Sequence, residues 1–254
     1  MLSSLLRHAP ESLKDPLRRQ VWQRLGLDWT LRSGLTVQVR SHADWFIYNE
    51  IFVNGEYDVP LQKLLDAPRP GEPLTICDLG ANVGYFTLRA YDLLIQRGVP
   101  PSLLSAHVVE GAPQLFAELK QRLQTQPAQL SIKPHHGLVG KKHGHANITE
   151  THRHFANTVQ ESADGGSVVP YLDLSTIMRS DARIDLLKCD IEGSEQEFIA
   201  NYPDILARTD RAVFEFHTAL CDIPKCIAML AQVGLVHQTP IRAEGNFPFI
   251  YFER

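Results

Sequence analysis

The sequence predicts an α/β protein whose central sheet is mostly parallel and covered by helices on both faces. Three stretches carry this prediction. LTICDLGANVGYFTL (74–88), SAHVVEGA with a proline-started helix behind it (105–112), and IDLLKCDIEGSEQEFI (184–199) each read as apolar strand, acidic tip, glycine turn and helix. Strands buried on both faces run continuously apolar, and repeated strand–helix units build a parallel sheet.

A chain of 254 residues suits one large domain with an extension. Pro68, Pro70, Gly71 and Pro73 make the best boundary, so residues 1–70 are expected as a helix and strand extension packing on a core of residues 71–254. The composition, 44% hydrophobic and 21% charged, is that of an ordinary globular protein. No apolar run reaches membrane-spanning length, and the first ten residues are too short and too soon broken by proline for a secretory signal. A cytoplasmic protein is expected. Its four cysteines fit, because Cys77 and Cys189 fall in core strands and Cys221 and Cys226 lack C-x-x-C spacing. Net charge is −4, but residues 1–40 carry +4, so the main body is acidic. Broad nucleic-acid binding needs a basic surface, which weighs against it as a partner.

From the N-terminus, Asp15 and Pro16 open a helix over residues 16–25 with Leu17, Val21 and Leu25 on one face and Gly26 at its end. LTVQVR (35–40) alternates as a strand, and DWFIYNEIFV (44–53) is too aromatic for a solvent loop. Asn54 and Gly55 signal a turn. Glu56, Tyr57 and Asp58 after it are either a first wall of a site or a plain packed hairpin.

In the first motif, Gly80 and Gly84 bracket a turn where backbone approaches a ligand closely and helix N–H groups point at it. The dinucleotide fingerprint would need glycine at 80, 82 and 85, where this chain has Gly80, Asn82 and Tyr85. Glu110 ends the second strand, where a carboxylate can accept hydrogen bonds from ribose hydroxyls. A third strand is expected from Leu130 to Pro134. Six histidines follow between His135 and His154, in spacings that match no compact metal pattern, so an exposed loop or edge hairpin is the better reading. Residues 161–167 read as loop, and VVPYLDL as a short strand entering a helix near Ser175.

The last motif ends its strand at Asp190, turns through Ile191, Glu192 and Gly193, and opens a helix with Ser194 and Glu197 as a capping box. In the strand 211–217, Val213, Glu215 and His217 face one way. A mid-strand glutamate is costly to bury alone, so Glu215 either pairs with Lys188 or works in a site. Parallel neighbours bring Asp190, Glu192, Glu215 and His217 to one carboxyl edge, where ligands bind in open α/β sheets. Asp222 and Pro224 then start a helix, and two strands close the chain.

NEIFVNGEYD, DLGANVGYFT, the E-G-A after the second strand, LKCDIEGSE and FEFH, in this order over roughly residues 45–252, together resemble FkbM-type methyltransferases. The resemblance implies a Rossmann-like class I fold, with a seven-stranded mixed, mostly parallel sheet flanked by helices. S-adenosylmethionine is the implied donor, and the acceptor a hydroxyl of a sugar or polyketide-like metabolite. Carried onto this chain, it implies cofactor contacts at Asp78, Gly80, Ala81, Asn82, Val83, Gly84, Glu110, Gly111, His136, Gly137, Leu138 and Asp190. Chemistry would fall to His217 as general base oriented by Glu215, with Asp190 holding the methionine amino group or shaping the acceptor site with Glu192. A divalent metal on Asp190, Glu215 and His217 is the alternative. The rival functions are a dinucleotide-dependent oxidoreductase, which Asn82 and Tyr85 disfavour, and an inactive cofactor-binding scaffold. Oligomeric state is left open.

Overall fold

In a computed structural model, which describes residues 21–22, 25–66, 73–149, 158–160, 166–178, 182–242 and 247–254, seven strands line up side by side. They are β3 (Leu74–Leu79), β4 (Leu104–Glu110), β5 (Ser131–His136), β9 (Leu186–Cys189), β10 (Arg211–Glu215), β11 (His237–Arg242) and β12 (Phe249–Glu253). The order across the sheet is β11-β12-β10-β9-β3-β4-β5. Strands β10, β9, β3, β4 and β5 run parallel, and β12 lies antiparallel between β10 and β11. This is the mostly parallel sheet that the strand motifs predict, with the seven strands that the resemblance implies.

The helices α3 (Tyr85–Gln96), α4 (Pro113–Gln124), α6 (Glu195–Asn201) and α8 (Ile223–Gln232) cover it. One core lies between α3, α4 and the sheet, with Phe86, Leu88, Tyr91, Leu94 and Leu119 against Leu74, Ile76, Leu104 and Ala106. The other packs Phe198, Ile199 and Leu230 on Leu79, Leu187, Phe214 and Phe252. Each such side chain contributes about 1.5–3 kcal/mol by leaving water.

Residues before the sheet join the first core. The pair β1 (Leu27–Thr30) and β2 (Thr36–Val39), with α2 (Asp58–Asp66), supplies Leu35, Val37, Val39, Leu61 and Leu64. Between them, the aromatic stretch forms α1 (His42–Tyr48), capped by the Ser41 side chain, and runs into a π-helical turn over Asn49–Val53. The hairpin reading at Asn54–Gly55 is therefore corrected. Trp45, Tyr48 and Phe52 recur at helical spacing and stack in succession, which favours a helix over a strand. Gly55, at φ 66°, ends the π turn, and α2 begins at Asp58. Of the N-terminal helix, Val21, Trp22 and Leu25 are helical, and the rest of that expectation lies outside the described residues.

A second, three-stranded sheet in the order β7-β6-β8 is built from β6 (His145–Thr149), β7 (Thr158–Gln160) and β8 (Ser167–Pro170). It uses part of the histidine-rich segment, and His152 and His154 lie outside the described residues. Two short helices, α5 (Leu174–Ile177) and α7 (Pro203–Ala207), complete the chain. Among the described residues, no helix is long and apolar enough to cross a membrane.

Candidate active site

A cleft of about 630 Å³, open mouth included, lies over the carboxyl ends of β3, β4 and β9. The turns after these strands make its floor. Gly80 has φ 72°, and a β-carbon there would lie 1.7 Å from the Asp190 carbonyl oxygen. The first and last motifs are thus in van der Waals contact through a glycine. Asn82 and Glu192, at φ 51° and 54°, are the described non-glycine residues with positive φ, one in each turn. Strained backbone of this kind concentrates at sites.

Glu110 stands at the tip of β4, 8% exposed. Its Oε2 accepts the Asn82 N–H and its Oε1 the Ala112 N–H, both at 2.8 Å. Burial pushes its carboxyl up to about 7 despite these bonds. Each oxygen keeps a second lone pair, and the residue lines the cleft.

Of the residues singled out from the sequence, Gly80, Asn82, Glu110, Gly111, Gly137, Leu138, Asp190 and Glu192 line the cleft. Val109, Ala112, Leu115, Val139, Ile148, Ile191 and Ser194 join them without having been named as site residues. Ala81 and Val83 instead sit in the core beneath the turn, and Gly84, at φ 87°, starts α3. His136 stacks on Phe116 at 4.8 Å, with Nε2 3.1 Å from the Gly111 carbonyl, so it props the loop rather than lining the cleft.

Asp78 is fully buried behind the turn. It accepts from Thr87 Oγ1 at 2.8 Å and faces Lys188 Nζ at 3.6 Å, while burial raises its carboxyl pKa. Lys188 donates to the Gly80 carbonyl at 2.6 Å and lies 3.4 Å from Asp190 Oδ2. Burial alone would lower its pKa, but Asp190 and Asp78 outweigh it and hold the ammonium above its ordinary range. One lysine therefore pins the first turn to the last.

The expected pairing of Glu215 with Lys188 or His217 is corrected. In register, Lys188 sits between Asp78 on β3 and Val213 on β10. Glu215 instead accepts from Arg242 Nη2 at 2.8 Å, and Arg242 also reaches Glu56 at 3.1 Å. Both Glu215 and Arg242 pair with Phe249, from opposite sides of β12, which places them together. Burial, with Asp190 nearby, raises Glu215 to about 8.

His217 has two other carboxylate partners. Its Nε2 lies 3.2 Å from Glu192 Oε2 and its Nδ1 3.1 Å from Glu195 Oε1. Burial would lower its pKa, but these two carboxylates raise it to about 11, which keeps the ring an imidazolium at neutral pH. Glu195 had no sequence signal beyond an acid in the first turn of a helix. The capping box is also corrected, since the Ser194 side chain makes no cap bond. Glu195 instead braces the turn before the helix by accepting the Ile191 and Gly193 N–H groups at 3.0 and 3.1 Å.

Asp190, Glu192 and His217 offer ligand atoms within 4.8 Å of one another, and Glu215, engaged by Arg242, is not of this set. The cations beside them are shared, Lys188 between Asp190 and Asp78 and His217 between Glu192 and Glu195.

A family model described as the methyltransferase FkbM domain matches residues 78–232, more than half of the chain. No curated protein matches it in sequence. Similar solved structures include the precorrin-6y C5,15-methyltransferase of Geobacter metallireducens, 14% identical over 79% of this chain and 89% of that one, with a TM-score of 0.45. The DszA carbon methyltransferase is 13% identical over 84% of this chain and 55% of its own, with a TM-score of 0.48. Fibrillarin of Aeropyrum pernix, solved with natively bound S-adenosyl-L-methionine, is 14% identical over 78% and 74%, with a TM-score of 0.44. Likenesses this distant say nothing of a substrate.

Proposed function

The chain belongs to the FkbM methyltransferase family, and on that premise we propose that it transfers a methyl group from S-adenosylmethionine to a hydroxyl of a small molecule, a sugar or a polyketide-like metabolite. The observation that carries this reading is Glu110, a carboxylate fixed by two backbone N–H groups with its remaining lone pairs on the cleft.

The residues present fit the cofactor. Gly80 and Gly111 leave a cradle that side chains would fill, since a β-carbon on Gly111 would come 2.8 Å from Leu138 Cδ2. Glu110 suits ribose hydroxyls, the apolar Leu115, Leu138 and Ile148 suit a flat base, and Asp190 suits an amino group. When bound, the sulfonium supplies an electrophilic methyl group. The protein's part is to align the acceptor, exclude water and remove the hydroxyl proton. Glu192 lies on the cleft wall and is assigned the proton, with His217 Nε2 3.2 Å from its Oε2.

The test is incubation with S-adenosylmethionine carrying an isotopic methyl label and a panel of hydroxylated sugars and macrolactones. Label in an O-methyl ether is expected. Label found only on carbon or nitrogen contradicts the hydroxyl acceptor.

A further inference from the structure

The three tryptophans of the chain, Trp22, Trp29 and Trp45, come from three different N-terminal elements and meet in one surface array. The ring of Trp22 lies 6.2 Å from that of Trp45, Trp45 stacks on Tyr48 at 5.8 Å, and Trp29 stacks on the same tyrosine at 6.2 Å. Trp29 on β1 is 42% exposed and Trp45 on α1 36%. Val21 and Leu25, one helical turn apart beside Trp22, are 46% and 51% exposed and border the array. Apolar residues exposed singly are ordinary, but a contiguous set marks an interaction surface. At its inner end Tyr48 stacks on Phe52, which meets Tyr85 edge-on beside the glycine turn of the cleft.

The charge around this face selects its partner. With a net charge of −4 and +4 on residues 1–40, residues 41–254 carry −8. Arg32, exposed in the turn between β1 and β2, stands three residues from Trp29, and Arg18, Arg19 and Arg24 flank Val21 and Leu25 in the sequence. Asp28, the acid next to Trp29, is paired with Arg40 at 2.5 Å. A second copy of the chain would set this positive end against itself, since a two-fold interface joins like to like. Single-stranded nucleic acid needs rings that stand apart as platforms for bases, and these rings stack on one another. An anionic bilayer answers both features, because indoles settle at the headgroup boundary and arginines meet lipid phosphates.

We propose that this face docks on an anionic lipid bilayer, with Val21, Leu25, Trp29 and Trp45 entering the headgroup boundary and the basic N-terminal residues meeting the phosphates. The acidic body is repelled by the same surface, which turns the positive end of the molecule towards it. The docking is peripheral and does not depend on the methyl-transfer reading.

The test mixes the full-length protein with vesicles of phosphatidylcholine alone or of phosphatidylcholine with phosphatidylserine, each made with and without brominated acyl chains. Because every tryptophan of the chain belongs to the array, intrinsic fluorescence reports on this face. With phosphatidylserine present, emission is expected to move to shorter wavelength and to be quenched by the brominated chains. Raising salt from about 0.1 to about 1 M shortens the Debye length from ~10 to ~3 Å, and partitioning is expected to drop by about tenfold or more. Arg32→Ser, at an exposed turn position, is expected to lower partitioning about fivefold, the worth of one basic residue near such a surface. Equal binding to phosphatidylcholine alone, binding that salt does not weaken, or emission that vesicles leave unchanged overturns the proposal. So does a shift that follows protein concentration without vesicles, which makes a second copy the occupant, or one that a single-stranded oligonucleotide produces and vesicles do not. The wild-type arms decide the matter whether or not the variant folds.

Discussion

Gly80 and Asp190, one at the tip of β3 and the other at the tip of β9, touch so closely that a β-carbon on the glycine would stand 1.7 Å from the Asp190 carbonyl oxygen. The contact joins two turns that both line the cleft. Gly80→Ala would force a left-handed φ of 72° on alanine and push the two turns apart. A loss of about 3 kcal/mol in denaturant unfolding is expected, together with loss of S-adenosylmethionine binding.

Glu110 gives a cleaner probe of the cofactor. Glu110→Gln keeps the shape but loses the charge and sets an amide N–H₂ against a backbone donor. Affinity for S-adenosylmethionine is expected to fall by about 10- to 100-fold, the scale of a charged hydrogen bond. Calorimetric titration reads it directly.

The strands of the sheet were legible because buried parallel strands are continuously apolar, and the cleft followed because each ended in an acid and a glycine. The partners of the charged groups were harder to see. Arg242 meets Glu215 only because β12 folds back between their strands. Glu195 has the sequence context of any acid opening a helix, and its role comes from the burial that the fold imposes. Trp45, Tyr48 and Phe52 carry a helical spacing, but an aromatic-rich stretch suits a buried strand as well as a helix.

His217 makes stability depend on pH. Its pKa is raised from 6.5 to about 11, so the folded chain holds a proton that the unfolded chain releases between those values. The contribution is complete below pH 6.5 and lost as pH rises through about 11. Unfolding free energy of the wild type should fall with pH across this window by up to about 1.4 kcal/mol per pH unit more steeply than that of His217→Gln. Equal slopes would remove the imidazolium.

Arg122 ties the N-terminal elements to the core. Its Nη2 lies 2.7 Å from Asp44 Oδ2, and its Nη1 donates to the Gln38 carbonyl at 2.7 Å, with the arginine side chain 5% and the aspartate 0% exposed. Arg122→Met removes the buried cation beside Asp44, whose Oδ2 then keeps the Arg40 N–H. A destabilisation of about 3–5 kcal/mol is expected in chemical unfolding, with Asp44→Asn in the same background recovering part of it.

The most direct test of the whole account is calorimetric titration of the purified protein with S-adenosylmethionine, its demethylated product S-adenosylhomocysteine, and NAD. The cleft around Glu110 and the turn at Gly80 and Asn82 predict binding of the first two and none of the third. Binding of NAD alone would contradict the account.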